Sequence, residues 1–157
     1  MEYLAAHPSG HLWMNVGNLA EANQQQFKYQ LDSLTYCYGV DKSQLLIASP
    51  QWQLLFPLKR DRYYTAYAVT PPRPSSLSRE QRDSVVSRMG AVARSGCVCA
   101  LAFPHYWYNT LRCQFADEHI DYLVAMPHRT QASTLLDPLG QVMLRDLRVR
   151  VIAVGEK

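Results

Sequence analysis

RDSVVSRMGAVARSGCVCALAF, residues 82–103, changes its hydrophobic period in the middle. As far as Ser95, the apolar residues Val85, Met89, Val92 and Ala93 recur at spacings of three and four, the period of a helix with one buried stripe. Gly96 interrupts, and residues 97–103 are then apolar without alternation, as a strand covered on both faces is. A helix feeding such a strand is half of a βαβ unit. The stretch therefore predicts an α/β fold with a mainly parallel sheet.

The flanks repeat the alternation. Ser78 and Gln81 have capping-box spacing, which starts the helix at about Arg79. Before them, PPRPSS (71–76) is a stiff turn, and YYTAYAVT (63–70) has the aromatic and β-branched content of a strand. SQLLIAS (43–49) predicts a buried strand ended by Pro50, and QWQLLFPLKRDR (51–62) a short helix or irregular segment. Nearer the start, HLWMNVG (11–17) alternates at Leu12, Met14 and Val16, the period of a strand. Asn18 and Glu21 suggest a capping box for a helix that runs to about Tyr38, with Ala20, Phe27, Leu31, Leu34 and Tyr38 on one face. Gly39 is a natural stop for it.

Downstream, YNTLRCQFADEH (108–119) has the pattern of two or three helical turns and IDYLVAMP (120–127) that of a strand. The tail, ASTLLDPLGQVMLRDLRVRVIAV (132–154), suggests two strands around a DPLG turn. The expected architecture is one three-layer α/β domain over residues 1–157, with a mainly parallel sheet and a C-terminal hairpin. A segregated α+β sandwich is the alternative.

Bulk properties narrow the function classes. Hydrophobic residues form 48% of the 157 and charged residues 18%, a globular balance rather than a disordered one. A net charge of +3 is too small to imply nucleic acid by itself. The longest apolar run, residues 97–103, falls far short of the roughly 18 residues of a membrane span. MEYLAAHPSGH has neither a basic nor a long apolar stretch, so no secretory leader is expected. Reduced cysteines and a cytoplasmic location follow as expectations.

No strong catalytic signature stands out. NVGNLAEA (15–22) occupies the place of a phosphate loop but has one glycine and no Lys-Ser or Lys-Thr pair, so a simple strand-to-helix turn is expected there. Cys97, Cys99, His105, Cys113, His119 and His128 offer soft ligands, yet no CxxC knuckle; Cys97 and Cys99 fit equally well as small buried residues. Cys113 with His105 or His119, oriented by Asp117 or Asn109, is the thiol-enzyme alternative. No cofactor and no metal are expected. Nucleic acid is the nearer alternative, ahead of a thiol or zinc enzyme, because Lys59, Arg60 and Arg62 adjoin Tyr63, Tyr64 and Tyr67, and Arg145, Arg148 and Arg150 could add charge. Against it, tyrosines fill strands and arginines guard sheet edges.

The leading expectation is a protein partner. FPHYWYN (103–109) sets Tyr106, Trp107 and Tyr108 beyond the end of a strand, where sites gather in α/β sheets and where binding surfaces favour Tyr and Trp. The expected surface joins these three to Lys59, Arg60 and Arg62. The competing possibility is that Trp107 folds back into the core.

Three stretches, QLLIASPQ (44–51), RDSVVSRMGAVARSGCVCALAF (82–103) and IDYLVAMPHR (120–129), together resemble the SulA-type SOS cell-division inhibitors. These are relatives of the RecA-like fold that lack a Walker loop. The resemblance covers residues 45–129; LFPLKRDRYY fits poorly where that family has a helix, and the C-terminal hairpin is extra. It implies a regulatory protein without catalysis that sequesters a tubulin-like division protein.

Overall fold

The computed structural model describes residues 1–127 and 131–155. Its architecture is α/β, with six strands in the sheet order β1-β2-β3-β4-β5-β6 and parallel ladders. Parallel pairing excludes the segregated α+β alternative. The chain divides into two compact units, one formed by Met1–Ala68 with Gly96–Cys99 and the other by Val69–Ser95 with the chain from Ala100 onward.

The first unit carries α1 (Glu2–Ala6), β1 (Leu12–Asn15), α2 (Glu21–Tyr38), β2 (Leu45–Ser49), α3 (Phe56–Arg60) and β3 (Tyr64–Ala68). β2 is the middle strand of the three and is buried along its whole length. Leu45, Ile47, Leu55, Leu58, Tyr63 and Ala66 make the core, and Leu31 of α2 packs into it. The Gln44 amide ties down the first residues by donating to the carbonyls of His7 (3.2 Å) and Gly10 (3.0 Å).

α2 starts later than its sequence suggests. Ala20 is the N-cap, and Asn23 replaces the expected Asn18–Glu21 box. Its Oδ1 accepts from the Ala20 N–H at 2.8 Å, while its Nδ2 donates to the Asn18 carbonyl at 2.9 Å. Gly39 closes the helix in the left-handed region at φ 62°. The inner face is formed by Leu31 and Thr35, whereas Leu34 and Tyr38 are exposed.

The second unit carries α4 (Arg79–Ser95), β4 (Ala100–Pro104), α5 (Tyr108–Gln114), β5 (Asp121–Pro127), α6 (Gln131–Leu136), α7 (Pro138–Arg145) and β6 (Val149–Gly155). The Ser78–Gln81 box forms in both directions: the Ser78 N–H donates to Gln81 Oε1 and the Gln81 N–H to Ser78 Oγ. β4 and the middle of β5 are buried, and Met89, Leu101, Phe103, Leu111, Leu123, Val124 and Met143 fill the core. Phe103 meets Tyr122 edge to face at 5.3 Å.

The C-terminal hairpin is not formed. Asp137 caps a helix, accepting from the Leu139 N–H at 2.8 Å, and Pro138 sits in its first turn, where a missing N–H costs nothing. α6 and α7 stand where two strands were expected, and β6 runs parallel to β5. Cys97 and Cys99 are half-buried and precede β4 rather than lying inside it.

Candidate interaction surface

Tyr106, Trp107 and Tyr108 belong to the second unit, and Lys59, Arg60 and Arg62 to the first. In the second unit, Pro104 ends β4 and a single 3-10 turn leads into α5. That turn points the aromatics inward. Trp107 and Tyr108 are each 0% exposed, so neither offers a surface to a partner. The Trp107 indole N–H donates to the Pro72 carbonyl and the Tyr106 hydroxyl to the Pro71 carbonyl, both at 3.0 Å. Arg73 lies over the Tyr106 ring, 5.5 Å from its centroid. The aromatic run is thus a clamp on the proline-rich turn 71–76, which has few backbone N–H groups with which to hold itself.

Tyr108 closes a second network. Its hydroxyl donates to Asp146 at 2.9 Å, and Arg148 binds the same carboxylate through Nε (3.1 Å) and Nη2 (3.0 Å). Arg148 Nη1 reaches the Phe115 carbonyl at 2.8 Å, and its guanidinium covers the Tyr122 ring. Burial, helped by the hydrogen bond to Asp146, pushes the Tyr108 phenol up to about 12. Burial also pushes Asp146 upward, but the Arg148 and Tyr108 hydrogen bonds outweigh it and hold the carboxyl below its ordinary range. Arg150 pairs with Asp121 at 3.1 Å. Arg148 is therefore an internal clamp, whereas Arg150 stays largely exposed beside its carboxylate.

In the first unit, Lys59 is also occupied, donating to the carbonyls of Gly96 (2.7 Å) and Val98 (2.9 Å). Arg60 and Arg62 are exposed; Arg62 holds the left-handed backbone at φ 71°. Tyr63 and Tyr67 are buried and Tyr64 half-buried, which removes the stacking platform on which the nucleic-acid alternative depends. Tyr63 instead donates to Asp32 at 2.9 Å, and Lys28 and Lys42 bind the same carboxylate. Burial pushes Asp32 up, yet those three hydrogen bonds win and hold it at about 2. Burial pushes the Tyr63 phenol up to about 12, with Asp32 adding to the shift.

Asn23 already satisfies the Ala20 N–H at the start of α2, in the place of a phosphate loop. Cys113 and His119 are exposed and His105 half-buried, its Nδ1 3.4 Å from the Ala125 carbonyl. Among the described residues no three His, Cys, Asp or Glu side chains converge as metal ligands. His128 lies outside the described residues. No helix among them is long and apolar enough to cross a membrane.

A surface that the sequence reading missed lies on α2. Tyr29 is 73% and Tyr36 89% exposed. Seven residues apart, they share one face, roughly 200° around the helix from Phe27. Tyr36 also lines a hollow of about 500 Å³ with Asp32, Thr35, Gly39, Val40 and Lys42. Lys28, one residue before Tyr29, bridges Asp32 to Asp61, which stands between Arg60 and Arg62. That bridge brings the middle of α2 to the segment bearing both exposed arginines. The spacing of Tyr29 and Tyr36, off the apolar stripe, was the available signal.

No family model matches this chain, and neither a curated protein nor a solved structure matches it.

Proposed function

We propose that this chain is a non-catalytic regulatory module of the cytoplasm that binds a protein partner through the tyrosine face of α2 and the neighbouring Arg60 and Arg62. The observation that carries the reading is the exposure of Tyr29 and Tyr36 on one helical face. Tyrosine is among the residues enriched at binding hot spots, and here two of them stand in water on a single face. The basic neighbours select a partner with acidic groups beside its apolar contacts. Four cysteines outside any disulfide accord with a reducing compartment.

Affinity capture from the native host, compared between wild type and Tyr29→Ala/Tyr36→Ala, tests this reading. The expected result is loss of one specific partner with an unchanged circular dichroism spectrum. A partner set that survives both substitutions overturns it. The SulA-like form of the proposal makes that partner a tubulin-like division protein. Addition of the chain should then suppress polymerisation of the purified division protein, and an unaffected polymer removes that form alone.

A further inference from the structure

We propose that β6 is a dimerisation edge and that two copies of this chain join by antiparallel pairing of their β6 strands about a twofold axis. This inference uses the second unit and does not depend on the tyrosine face of α2.

β6 pairs on one side with β5, from Tyr122↔Val149 to Pro127↔Gly155, and stands last in the sheet order. Its other edge has no strand partner among the described residues. Edge strands normally carry charges, prolines or bulges that stop them recruiting another strand. Here such features gather at the beginning of β6: Arg148, Arg150 and a register shift opposite Tyr122 and Leu123. Residues 151–154, Val-Ile-Ala-Val, have none.

The side chains around this edge are apolar too. Leu135, Leu144, Ile152 and Val154, with Thr134, line a groove of about 190 Å³. Leu135 is 52%, Leu136 84%, Leu144 54% and Leu147 91% exposed. Leu147 belongs to a neighbouring charged hollow with Asp117, Asp121 and Arg150; without it, Leu135, Leu136 and Leu144 expose on the order of 350 Å² of apolar surface, within the size that is often functional on a monomer. It is somewhat under half of the roughly 800 Å² that each partner contributes to a standard interface, before the strand backbone is added.

A second copy is the occupant that meets this edge with a matching apolar run and no clash of charges. Pairing of a strand with its own twofold mate must be antiparallel. Centred on Ile152, the midpoint of β6, it sets Ile152 against Ile152 and each Arg150 against Val154. The two arginines are kept apart, and the aliphatic stem of each covers an apolar neighbour. Residues 151–153 pair among themselves.

Sedimentation equilibrium and disulfide trapping test the proposal. Wild type should show a two-chain mass at tens of micromolar, and Leu144→Glu should weaken the dimer at least tenfold while its circular dichroism spectrum and melting temperature stay near wild type. In a Cys37→Ser/Cys113→Ser background, Ile152→Cys should oxidise to a covalent dimer, because its mate lies directly opposite. A one-chain mass for wild type at 100 μM overturns the proposal. So does a dimer that Ile152→Cys fails to trap.

Discussion

The Tyr63 hydroxyl donates to the Asp32 carboxylate at 2.9 Å, and Tyr108 donates to Asp146 at the same distance. Each unit thus closes the end where its parallel strands begin with the same device: a buried tyrosine, a half-buried aspartate and cations that bind it. Tyr63 directly precedes β3, and Asp146 lies just ahead of β6. In the first unit the cations are Lys28 and Lys42, and in the second Arg148. Among the described residues, Asp32, Tyr63 and Tyr108 are the groups held furthest from their ordinary pKa values, and each is hydrogen-bonded within its own cluster.

Tyr63→Phe is expected to destabilise the chain by about 1.5–3 kcal/mol, the range for a hydrogen bond to a charged group. The ring still packs, so the loss isolates the hydroxyl. Urea unfolding at pH 7 measures it, and an unchanged midpoint would show that Lys28 and Lys42 suffice for Asp32.

Stability should fall at both extremes of pH for reasons that carry opposite signs. Asp32 titrates near 2 in the fold and near 3.9 when unfolded, so its contribution is complete above about pH 4 and disappears as pH falls through 2. Tyr63 and Tyr108 titrate near 12 in the fold against about 10 unfolded. Their contribution is complete below about pH 10 and is lost between pH 10 and 12. Melting temperature against pH should therefore bend down on both sides, with Asp32→Asn flattening the acid arm and Tyr108→Phe the alkaline arm.

What the sequence made legible was local. The Ser78–Gln81 box, the left-handed stops at Gly39 and Gly96, and the periods of α4 and β3 are written within one or two turns of chain. Asp137-Pro138 was ambiguous because that pair serves a turn and a helix start equally well. What decided for α7 was Met143, buried one face away from the exposed Leu144. Trp107 could be read from the sequence as core or as surface, and nothing local decided between them. Its burial rests on a hydrogen bond to Pro72, 35 residues away, and no local pattern encodes that partner. The tyrosines of β3 misled for the same reason, since a strand rich in aromatics looks identical whether its face is covered or free.

Gly140 carries a sharp steric prediction. A Cβ built there would lie 1.9 Å from the Thr134 carbonyl oxygen, a backbone atom that cannot rotate away. α6 and α7 meet at this point only because the side chain is missing. Gly140→Ala should cost on the order of 3 kcal/mol, the scale of overpacking against a fixed neighbour. Gly17→Ala is the control: no atom lies within 4 Å of its added Cβ, and its melting temperature should move by less than 1 °C.

Trp107 distinguishes a core residue from a binding one. It is fully buried, and Trp107→Ala is expected to cost about 3–5 kcal/mol, a large part of the 5–15 kcal/mol that holds an ordinary domain together. Any loss of partner binding in that variant would then follow from unfolding, visible as a collapsed melting curve. Trp107→Phe is the informative change. It fills most of the volume, leaves a small cavity and removes the N–H that Pro72 accepts, for a loss of about 2–3 kcal/mol. If Trp107 is core, the Phe variant keeps full partner capture while melting several degrees lower. If it is instead a contact residue, capture falls and the melting temperature stays where it was.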